Sequence, residues 1–352
     1  MDGLAIASYG YVAAVPNRRT SPRRVLLLLV ATLAAIRAAW WKRHKRGPAE
    51  VRESRQVQLG PNPTGAGIVL AVNPNAGSAD EDLAGELRKA LPEAEVIKLE
   101  DPADLEKVLD AAATRPGTTA IGAAGGDGTI SWTASIAAKH GLPVVAVSGG
   151  TLNHLTIDLG LCTVADTVAA VAAGQAVEVD LPCIDGRPFL NTASFGSYAE
   201  LVDAREQLED RIGKWPAMVV AAVRVLRRGA PIEVELDLER RRLWMIFIGN
   251  CRYLPDGFAP STRPRLDDGQ LDIRIIDADQ PFARLRLLLG LVTGRLGRSP
   301  VYRQWAATTL CVKSTDGPLR LACDGETFDG GESIEVAKTG QRVTLFSPFQ
   351  VA

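Results

Sequence analysis

Three short glycine-rich segments of the sequence have the composition of phosphate-binding turns. They are Asn73-Pro74-Asn75-Ala76-Gly77-Ser78, Gly125-Gly126-Asp127-Gly128-Thr129 and Gly149-Gly150-Thr151-Leu152-Asn153. Glycines let the backbone approach a ligand closely, and a helix that begins there offers unpaired N–H groups to an anion. In the second segment, a carboxylate could face phosphate groups and their metal. Each segment alone could be a structural turn, but three of them would converge on one crevice at adjacent strand ends.

Two acidic segments lie in the second half of the chain. Asp324-Gly325-Glu326 places two carboxylates beside a glycine at a predicted strand end, where one of them could act as a general base. The segment 265–272, RLDDGQLD, combines closely spaced carboxylates with turn carbonyls that could hold a hard cation. A hairpin turn and a plain Asp-Gly turn are the structural alternatives, and the residues by themselves leave both open.

The elements that must position these residues follow from the hydrophobic pattern. Between residues 67 and 148, four short apolar runs alternate with helical patterns, and this alternation predicts a parallel sheet with right-handed crossovers. After about residue 177, strand-like runs separated by turn residues predict an antiparallel sandwich, which includes the runs 177–184 and 341–347. Helical patterns at 200–228 and 281–298 interrupt it.

A basic leader with an apolar run precedes these elements. Residues 1–60 carry 11 Lys and Arg against 3 Asp and Glu, whereas the rest of the chain carries 29 against 38. Residues 25–36 are apolar or small, and extension to Trp41 gives roughly 25 Å of helix against a hydrocarbon core of ~30 Å. We predict an N-terminal apolar helix that spans the membrane or lies on an anionic surface. A cleaved signal peptide and a buried leader helix are the alternatives.

Composition argues against two other classes of protein. A net charge of −1 does not favour nucleic-acid binding, so no nucleic-acid partner is expected. Three histidines and five cysteines without a C-x-x-C pair do not favour a zinc site or a disulfide framework.

The four motifs together resemble the diacylglycerol kinase catalytic-domain family of lipid kinases, which has sphingosine kinases as relatives. The N-P-x-x-G turn, the GGDGT loop, the G-T-x-N segment and the late D-G-E occur in family order from about Gly67 to the C-terminus. GGDGT alone is shared with NAD kinases and phosphofructokinases, whereas the set of four is specific. The resemblance implies an α/β plus all-β fold. Its expected parts are a leader and linker at 1–66, a three-layer α/β nucleotide-binding domain at 67–175, and an antiparallel β-sandwich lipid-binding domain at 176–352.

The resemblance also implies a reaction and its residues. ATP and Mg²⁺ would serve transfer of the γ-phosphoryl group to a hydroxyl of a membrane lipid, and the expected acceptor is diacylglycerol. Glu326 matches the proposed general base, with Asp324 and Asp127 as further catalytic residues. The family's structural magnesium site consists of a carbonyl, an Asp three residues later and a carbonyl two residues further on, and it falls on Arg265, Asp268 and Gln270. The residues that match ATP-binding positions are Asn73, Pro74, Asn75, Ala76, Gly77, Gly125, Gly126, Asp127, Gly128, Thr129, Thr151 and Asn153.

Two positions depart from the family pattern. Ser131 stands where an Asn commonly follows GGDGT, and Ser148 replaces a common Pro before the G-T-x-N segment. Both replacements are expected to weaken nucleotide binding more than the chemistry itself.

The expected partners are a membrane lipid and an anionic membrane surface at the cytoplasmic face, while a homodimer is left open. Residues 281–300, rich in leucine and arginine, are a second candidate membrane contact. Their structural alternative is a helix that packs its leucines on the second domain. An NAD kinase-like enzyme and a catalytically inactive lipid or nucleotide sensor are the alternative functions.

Overall fold

The computed structural model describes residues 53–76, 82–150, 153–196, 230–236, 238–254, 262–293 and 295–348. The predicted N-terminal apolar helix and the helical pattern at 200–228 therefore lie outside the described residues, as do Gly77 and Thr151. Within the described ranges, no helix is long and apolar enough to cross a membrane.

The described chain contains helices and strands in mixed order. The helices are α1 (Leu83–Ala90), α2 (Leu105–Ala113), α3 (Asp127–His140), α4 (His154–Asp158), α5 (Val164–Ala173) and α6 (Ala283–Thr293), with 3-10 turns at Pro102–Asp104 and Leu296–Arg298. The strands of the first half are β1 (Gln56–Gln58), β2 (Ile68–Val72), β3 (Glu95–Lys98), β4 (Ala120–Gly125), β5 (Val144–Ser148), β6 (Gln175–Asp180), β7 (Cys183–Ile184), β8 (Arg187–Pro188) and β9 (Thr192–Gly196). Those of the second half are β10 (Ile232–Leu236), β11 (Glu239–Asn250), β12 (Leu271–Asp277), β13 (Tyr302–Ala307), β14 (Thr309–Ser314), β15 (Arg320–Cys323), β16 (Glu326–Asp329), β17 (Ser333–Ala337) and β18 (Arg342–Phe346).

The first sheet has the order β1-β6-β18-β5-β4-β2-β3, and β3, β2, β4 and β5 run parallel. Every residue of β2 and β4 is buried, because helices cover the sheet: α2 contacts both strands, and α3 contacts β4. This continuous burial explains why the strands are apolar runs rather than alternating ones. The mixed α/β domain expected from the sequence is confirmed.

The strand order places a ligand crevice at one point of this sheet. The chain leaves β2 toward β3 on one side and leaves β4 toward β5 on the other, so the order reverses between β2 and β4. In open α/β sheets, ligands bind at such a reversal, beyond the carboxyl ends of the strands. The segments that leave β2 and β4 at this point are the N-P-x-x-G turn and the GGDGT loop.

Two strands that the sequence assigned to the sandwich belong to the first sheet instead. Strand β6 pairs with β18 from Gln175 onward, and β18 also pairs in parallel with β5 through Leu345 and Val144. The apolar alternation of both runs fits any half-buried strand, and the choice of partner depends on a contact with a distant part of the chain. The domain boundaries at residues 66 and 175 stay a prediction.

The second sheet is antiparallel and branches at the long strand β11. On one edge of β11, residues 239–243 pair with β10 and residues 245–249 pair with β9. On its opposite edge, residues 243–250 pair with β12. Apolar side chains from these strands and from β14, β15 and β17 form one core that includes Phe195, Ile248 and Leu321. An antiparallel β domain therefore follows the α/β domain, as expected.

Candidate active site

The three glycine-rich turns meet at the carboxyl ends of β2, β4 and β5. The N–H of Gly149 donates to the carbonyl of Gly125 at 3.1 Å. A Cβ added at Gly150 would lie 2.5 Å from the Cα of Gly126, so no side chain fits between the second and third turns. Because the turns are bare backbone where they meet, their peptide groups line the crevice, as a phosphate-binding site requires.

The first turn is tied to the second by a side-chain contact. The Asn73 amide nitrogen donates to Thr129 Oγ1 at 3.1 Å, while Asn73 Oδ1 accepts from the N–H of Asn75 at 2.9 Å. Ala76 lies beside the third turn, because a Cβ at Gly149 would come within 2.9 Å of the Ala76 Cβ. Pro74 follows Asn73 in the same turn. Four of the five first-turn residues predicted to bind ATP are thus placed at the crevice, and Gly77 lies outside the described residues.

Asn153 shapes the third turn rather than projecting from it. Its backbone is left-handed, with φ of 51°, and its side-chain amide contacts both backbone groups of one residue: Oδ1 accepts from the Gly150 N–H at 2.8 Å and Nδ2 donates to the Gly150 carbonyl at 2.6 Å. The turn is therefore fixed on both sides of Thr151, which is outside the described residues.

Asp127 joins the second turn to helix α4. Its two carboxylate oxygens accept the N–H groups of His154 and Leu155, each at 3.1 Å. A carboxylate at the start of a helix satisfies N–H groups that have no partner within the helix. The observed contacts hold the turns in register, and a role of Asp127 toward a metal stays a prediction.

Glu326 comes from the other domain and lies against the second turn. A Cβ at Gly128 would be 2.5 Å from Glu326 Oε1 and 3.0 Å from its Cδ. The exposed carboxylate therefore occupies the space that a side chain at residue 128 would fill. The glycine of GGDGT and the glutamate of D-G-E, far apart in the sequence, form one site.

Asp324 anchors the turn that presents Glu326. Its carboxylate accepts the backbone N–H groups of Leu190, Asn191 and Thr192 at 2.8–2.9 Å and a hydrogen bond from the Ser131 hydroxyl. Removal from water raises the pKa of Asp324 to about 6, although the Ser131 hydroxyl and the backbone donors oppose that rise. With both oxygens occupied, Asp324 is suited to positioning Glu326 rather than to taking a proton itself.

Ser131 has a use that the sequence did not suggest. Its hydroxyl donates to Asp324 from the second turn of α3, and the expected weakening of nucleotide binding stays a prediction. The contact links the α/β domain to the D-G-E turn of the antiparallel domain.

A cavity opens beside Glu326. The guanidinium of Arg187 stacks on the Phe328 ring, 4.3 Å from the ring centroid, and lies 5.7 Å from that of Trp132. The cavity therefore combines a positive charge with apolar walls. Its lining residues are Gly128, Ser131, Trp132, Arg187, Pro188, Cys323, Asp324 and Glu326.

Arg263 is a buried residue that holds the loop behind the site, and the sequence analysis did not identify it as a site residue. Its side chain is buried, with 1% exposed, and its Nε is 2.7 Å from Asp158 Oδ2 at the end of α4. The same guanidinium donates to the Leu190 carbonyl at 2.6 Å and to Asn191 Oδ1 at 2.7 Å, so it fixes the loop whose N–H groups hold Asp324. In the sequence, Arg263 stands among charged residues, and nothing there marks it as buried.

The predicted magnesium ligands do not fit a metal site well. Asp268 uses one oxygen to accept the Arg252 N–H at 2.9 Å and the other to accept the Gln270 N–H at 2.8 Å. The Gln270 carbonyl accepts the Cys251 N–H at 3.0 Å, and Arg265 is an exposed residue whose side chain pairs with Asp267. Backbone N–H groups therefore already contact both Asp268 oxygens and the Gln270 carbonyl, two of the three ligands that the prediction offers to a cation; the third is the Arg265 carbonyl.

Comparisons with known proteins bear on the family and the fold of the chain. The family model "Diacylglycerol kinase catalytic domain" matches residues 67–184, and the model "YegS C-terminal NAD kinase beta sandwich-like domain" matches residues 195–337. A solved chain from Bacillus anthracis, assigned as a diacylglycerol kinase, is 21% identical with a TM-score of 0.61, and covers 81% of this chain and 99% of its own. A second one from that organism is 19% identical with a TM-score of 0.55, at coverages of 80% and 96%. These likenesses show the shared fold.

An uncharacterized protein from Synechocystis sp. is 25% identical over 249 residues. The matched region covers 66% of this chain and 56% of that protein. The chain therefore spans little more than half the length of this relative.

Proposed function

Because the chain belongs to the diacylglycerol kinase family of phosphotransferases, we propose that it transfers the γ-phosphoryl group of ATP to a hydroxyl of a membrane lipid, namely diacylglycerol, to give phosphatidic acid. The observation that carries the proposal is the position of Glu326 against Gly128 of the GGDGT loop. This contact puts a carboxylate from one domain at the predicted phosphate crevice of the other, beside a small open cavity that the hydroxyl group of an acceptor could reach.

In phosphoryl transfer the protein mainly positions the reactants and stabilises charge, and it forms no covalent bond to the substrate in this proposal. The acceptor hydroxyl oxygen attacks the γ-phosphorus, the bond from that phosphorus to the bridging oxygen breaks, and ADP leaves. Glu326 takes the proton of the hydroxyl, and Asp324 holds the turn that carries Glu326. Arg187 and the aromatic rings beside it would orient an acceptor that is polar at one end and apolar at the other.

The three turns are proposed to hold the ATP phosphates through backbone N–H groups at the crevice. A divalent cation bound with the nucleotide, for which Mg²⁺ is the proposed ion, would neutralise phosphate charge. The bare glycine backbone at 125–126 and 149–150 fits this use, since added Cβ atoms at Gly149 and Gly150 would collide with the neighbouring turn.

Helix α6 supports a membrane-bound substrate. Phe282 and Leu285 are 79% and 55% exposed, and Leu289 lies one turn further along the same face. Leu287 packs into a small core with Trp244, so the structural alternative accounts for one side of the helix only. Apolar side chains next to arginines suit an anionic lipid surface, which we propose at the cytoplasmic face.

The proposed function is tested with the purified chain, Mg²⁺ and radiolabelled ATP. Lipids in mixed micelles, with diacylglycerol first, are separated by thin-layer chromatography, and we expect a labelled phosphatidic acid. Label on free NAD instead would indicate an NAD kinase. ATP binding without any labelled acceptor across the panel would favour the sensor.

Substituting Gly128→Ala should disturb the contact on which the proposal depends. The added methyl would displace the Glu326 carboxylate, and a misplacement of about 1 Å can lower a rate on the order of 10²-fold. We expect kcat for lipid phosphorylation to fall by about that factor, while thermal stability is retained. Gly331→Ala is the control, because the nearest atom to a Cβ there is 3.6 Å away. Equal kcat values for the two variants would contradict the assigned position of Glu326.

A further inference from the structure

We propose that the ammonium group of Lys338 is the resident cation of the acidic cluster beside Asp268, and that this cluster is held together without a divalent metal. The cluster consists of Asp180, Asn250, Cys251, Asp268 and Lys338. The proposal concerns the stability of the junction between the two sheets and is independent of the proposed activity.

Lys338 makes the contacts that a bound cation would make. Its Nζ lies 2.8 Å from Asp180 Oδ2, 2.6 Å from Asn250 Oδ1 and 3.3 Å from Cys251 Sγ. The side chain is 4% exposed and that of Asp180 is 5% exposed, so both charges are removed from water. A buried charge is stable only when it is paired and hydrogen-bonded, and Lys338 meets both conditions.

Asp180 is already compensated by two cations. Arg342 Nε donates to Oδ1 at 3.0 Å, while Oδ2 accepts from Lys338 and from the Gly269 N–H at 2.7 Å. Burial acts to raise the pKa of Asp180, but Lys338 together with these hydrogen bonds outweighs it and holds that pKa below its usual value. A divalent ion at the same place would meet two positive side chains.

The remaining ligand atoms also suit a lysine better than Mg²⁺. The side-chain ligand atoms of Asp180, Cys251 and Asp268 lie within 4.8 Å of one another, a spacing that could hold a metal. However, one of these three atoms is a thiol sulfur that already lies 3.3 Å from Lys338 Nζ, and Mg²⁺ prefers oxygen ligands. Both oxygens of Asp268 accept backbone N–H groups.

Lys338 lies where the two sheets meet, so its contacts with Asp180 and Asn250 connect them. Asp180 ends β6 of the first sheet, Asn250 ends β11 of the second, and Lys338 follows β17 just before the chain returns to the first sheet in β18. One ammonium group thus joins three segments at the junction of the sheets. The resemblance implies a structural magnesium site at Arg265, Asp268 and Gln270, whereas in the cluster beside Asp268 this chain provides a positive charge through its own side chain.

The test compares thermal unfolding of the full chain, treated with EDTA and free of nucleotide, with and without millimolar Mg²⁺. We expect the Tm of the unaltered protein to be the same in both conditions. Lys338→Met should lower Tm by about 5–10 °C, because it leaves a buried carboxylate short of one partner. Lys313→Met, which removes an exposed lysine from β14 of the same sheet, is the matched control.

A Mg²⁺-dependent rise of Tm in the unaltered protein that disappears in Asp268→Asn would overturn the proposal. So would a Tm of Lys338→Met equal to that of the Lys313→Met control. If Lys338→Met does not fold, the proposal is tested by measuring Mn²⁺ binding to the unaltered protein with electron paramagnetic resonance. We expect the same spectrum with the unaltered chain and with Asp268→Asn, and a bound-Mn²⁺ signal that depends on Asp268 would refute the assignment.

Discussion

Replacing Glu326 by Gln is expected to lower the rate of lipid phosphorylation by about 10²- to 10⁴-fold, the usual contribution of a well-placed general base. The amide keeps the size of the side chain and its place over Gly128, but it cannot take the proton of the acceptor hydroxyl. ATP affinity and Tm should stay close to those of the unaltered protein, because the predicted nucleotide contacts come from the backbone of the three turns.

The measurement is kcat with diacylglycerol micelles, alongside ATP binding and thermal unfolding of the same preparation. Glu332→Gln, which changes another exposed glutamate of the same domain, is the matched control and should keep normal turnover. Normal turnover by Glu326→Gln would refute the assignment of the base. A loss of ATP affinity equal to the loss of rate would instead place Glu326 in nucleotide binding.

Replacing Arg263 by Met is expected to lower the free energy of unfolding by about 3–5 kcal/mol, the cost of breaking a buried ion pair by removing one partner. The variant leaves the carboxylate of Asp158 buried without its counter-ion and removes the donors to Leu190 and Asn191. Because that loop holds Asp324, lipid phosphorylation should fall as well.

Urea denaturation measures the loss, and Arg265→Met is the control. Arg265 is two residues away and also pairs with a buried aspartate, Asp267. Its own side chain is exposed, however, and Asp267 keeps the Arg55 N–H as a second partner, so the removal should cost no more than about 1 kcal/mol. If both variants lowered the free energy of unfolding by the same amount, the buried pair of Arg263 and Asp158 would be no more stabilising than the pair of Arg265 and Asp267.

The loss in Arg263→Met should also depend on pH. Burial already raises the pKa of Asp158, and Arg263 opposes that rise, so the variant should raise it further. When a carboxyl group has a higher pKa in the folded than in the unfolded state, its proton stabilises the folded protein. That contribution to the free energy of unfolding is lost as the pH rises from about 4. The variant should therefore be closest to the unaltered protein in acid.

The sequence determined the local parts of this protein. Apolar runs of strand length, each followed by a helical pattern, were enough to predict the α/β domain. The pattern of apolar residues within one segment indicates both its secondary structure and the side that is buried. The glycine-rich turns followed for the same reason, since the order of strands and helices puts their carboxyl ends at one edge of a parallel sheet. Glu326 was found through the D-G-E motif, which is a local pattern.

Which distant segments meet becomes visible only in the folded chain. The return of β18 to the first sheet, the hydrogen bond from Ser131 to Asp324 and the burial of Arg263 and Lys338 all depend on partners far away in the chain. A serine, an arginine and a lysine look alike in a sequence whether they face water or a buried carboxylate. Their environment is set by how the sheets pack, because burial and charge pairing are properties of the assembled fold rather than of a segment.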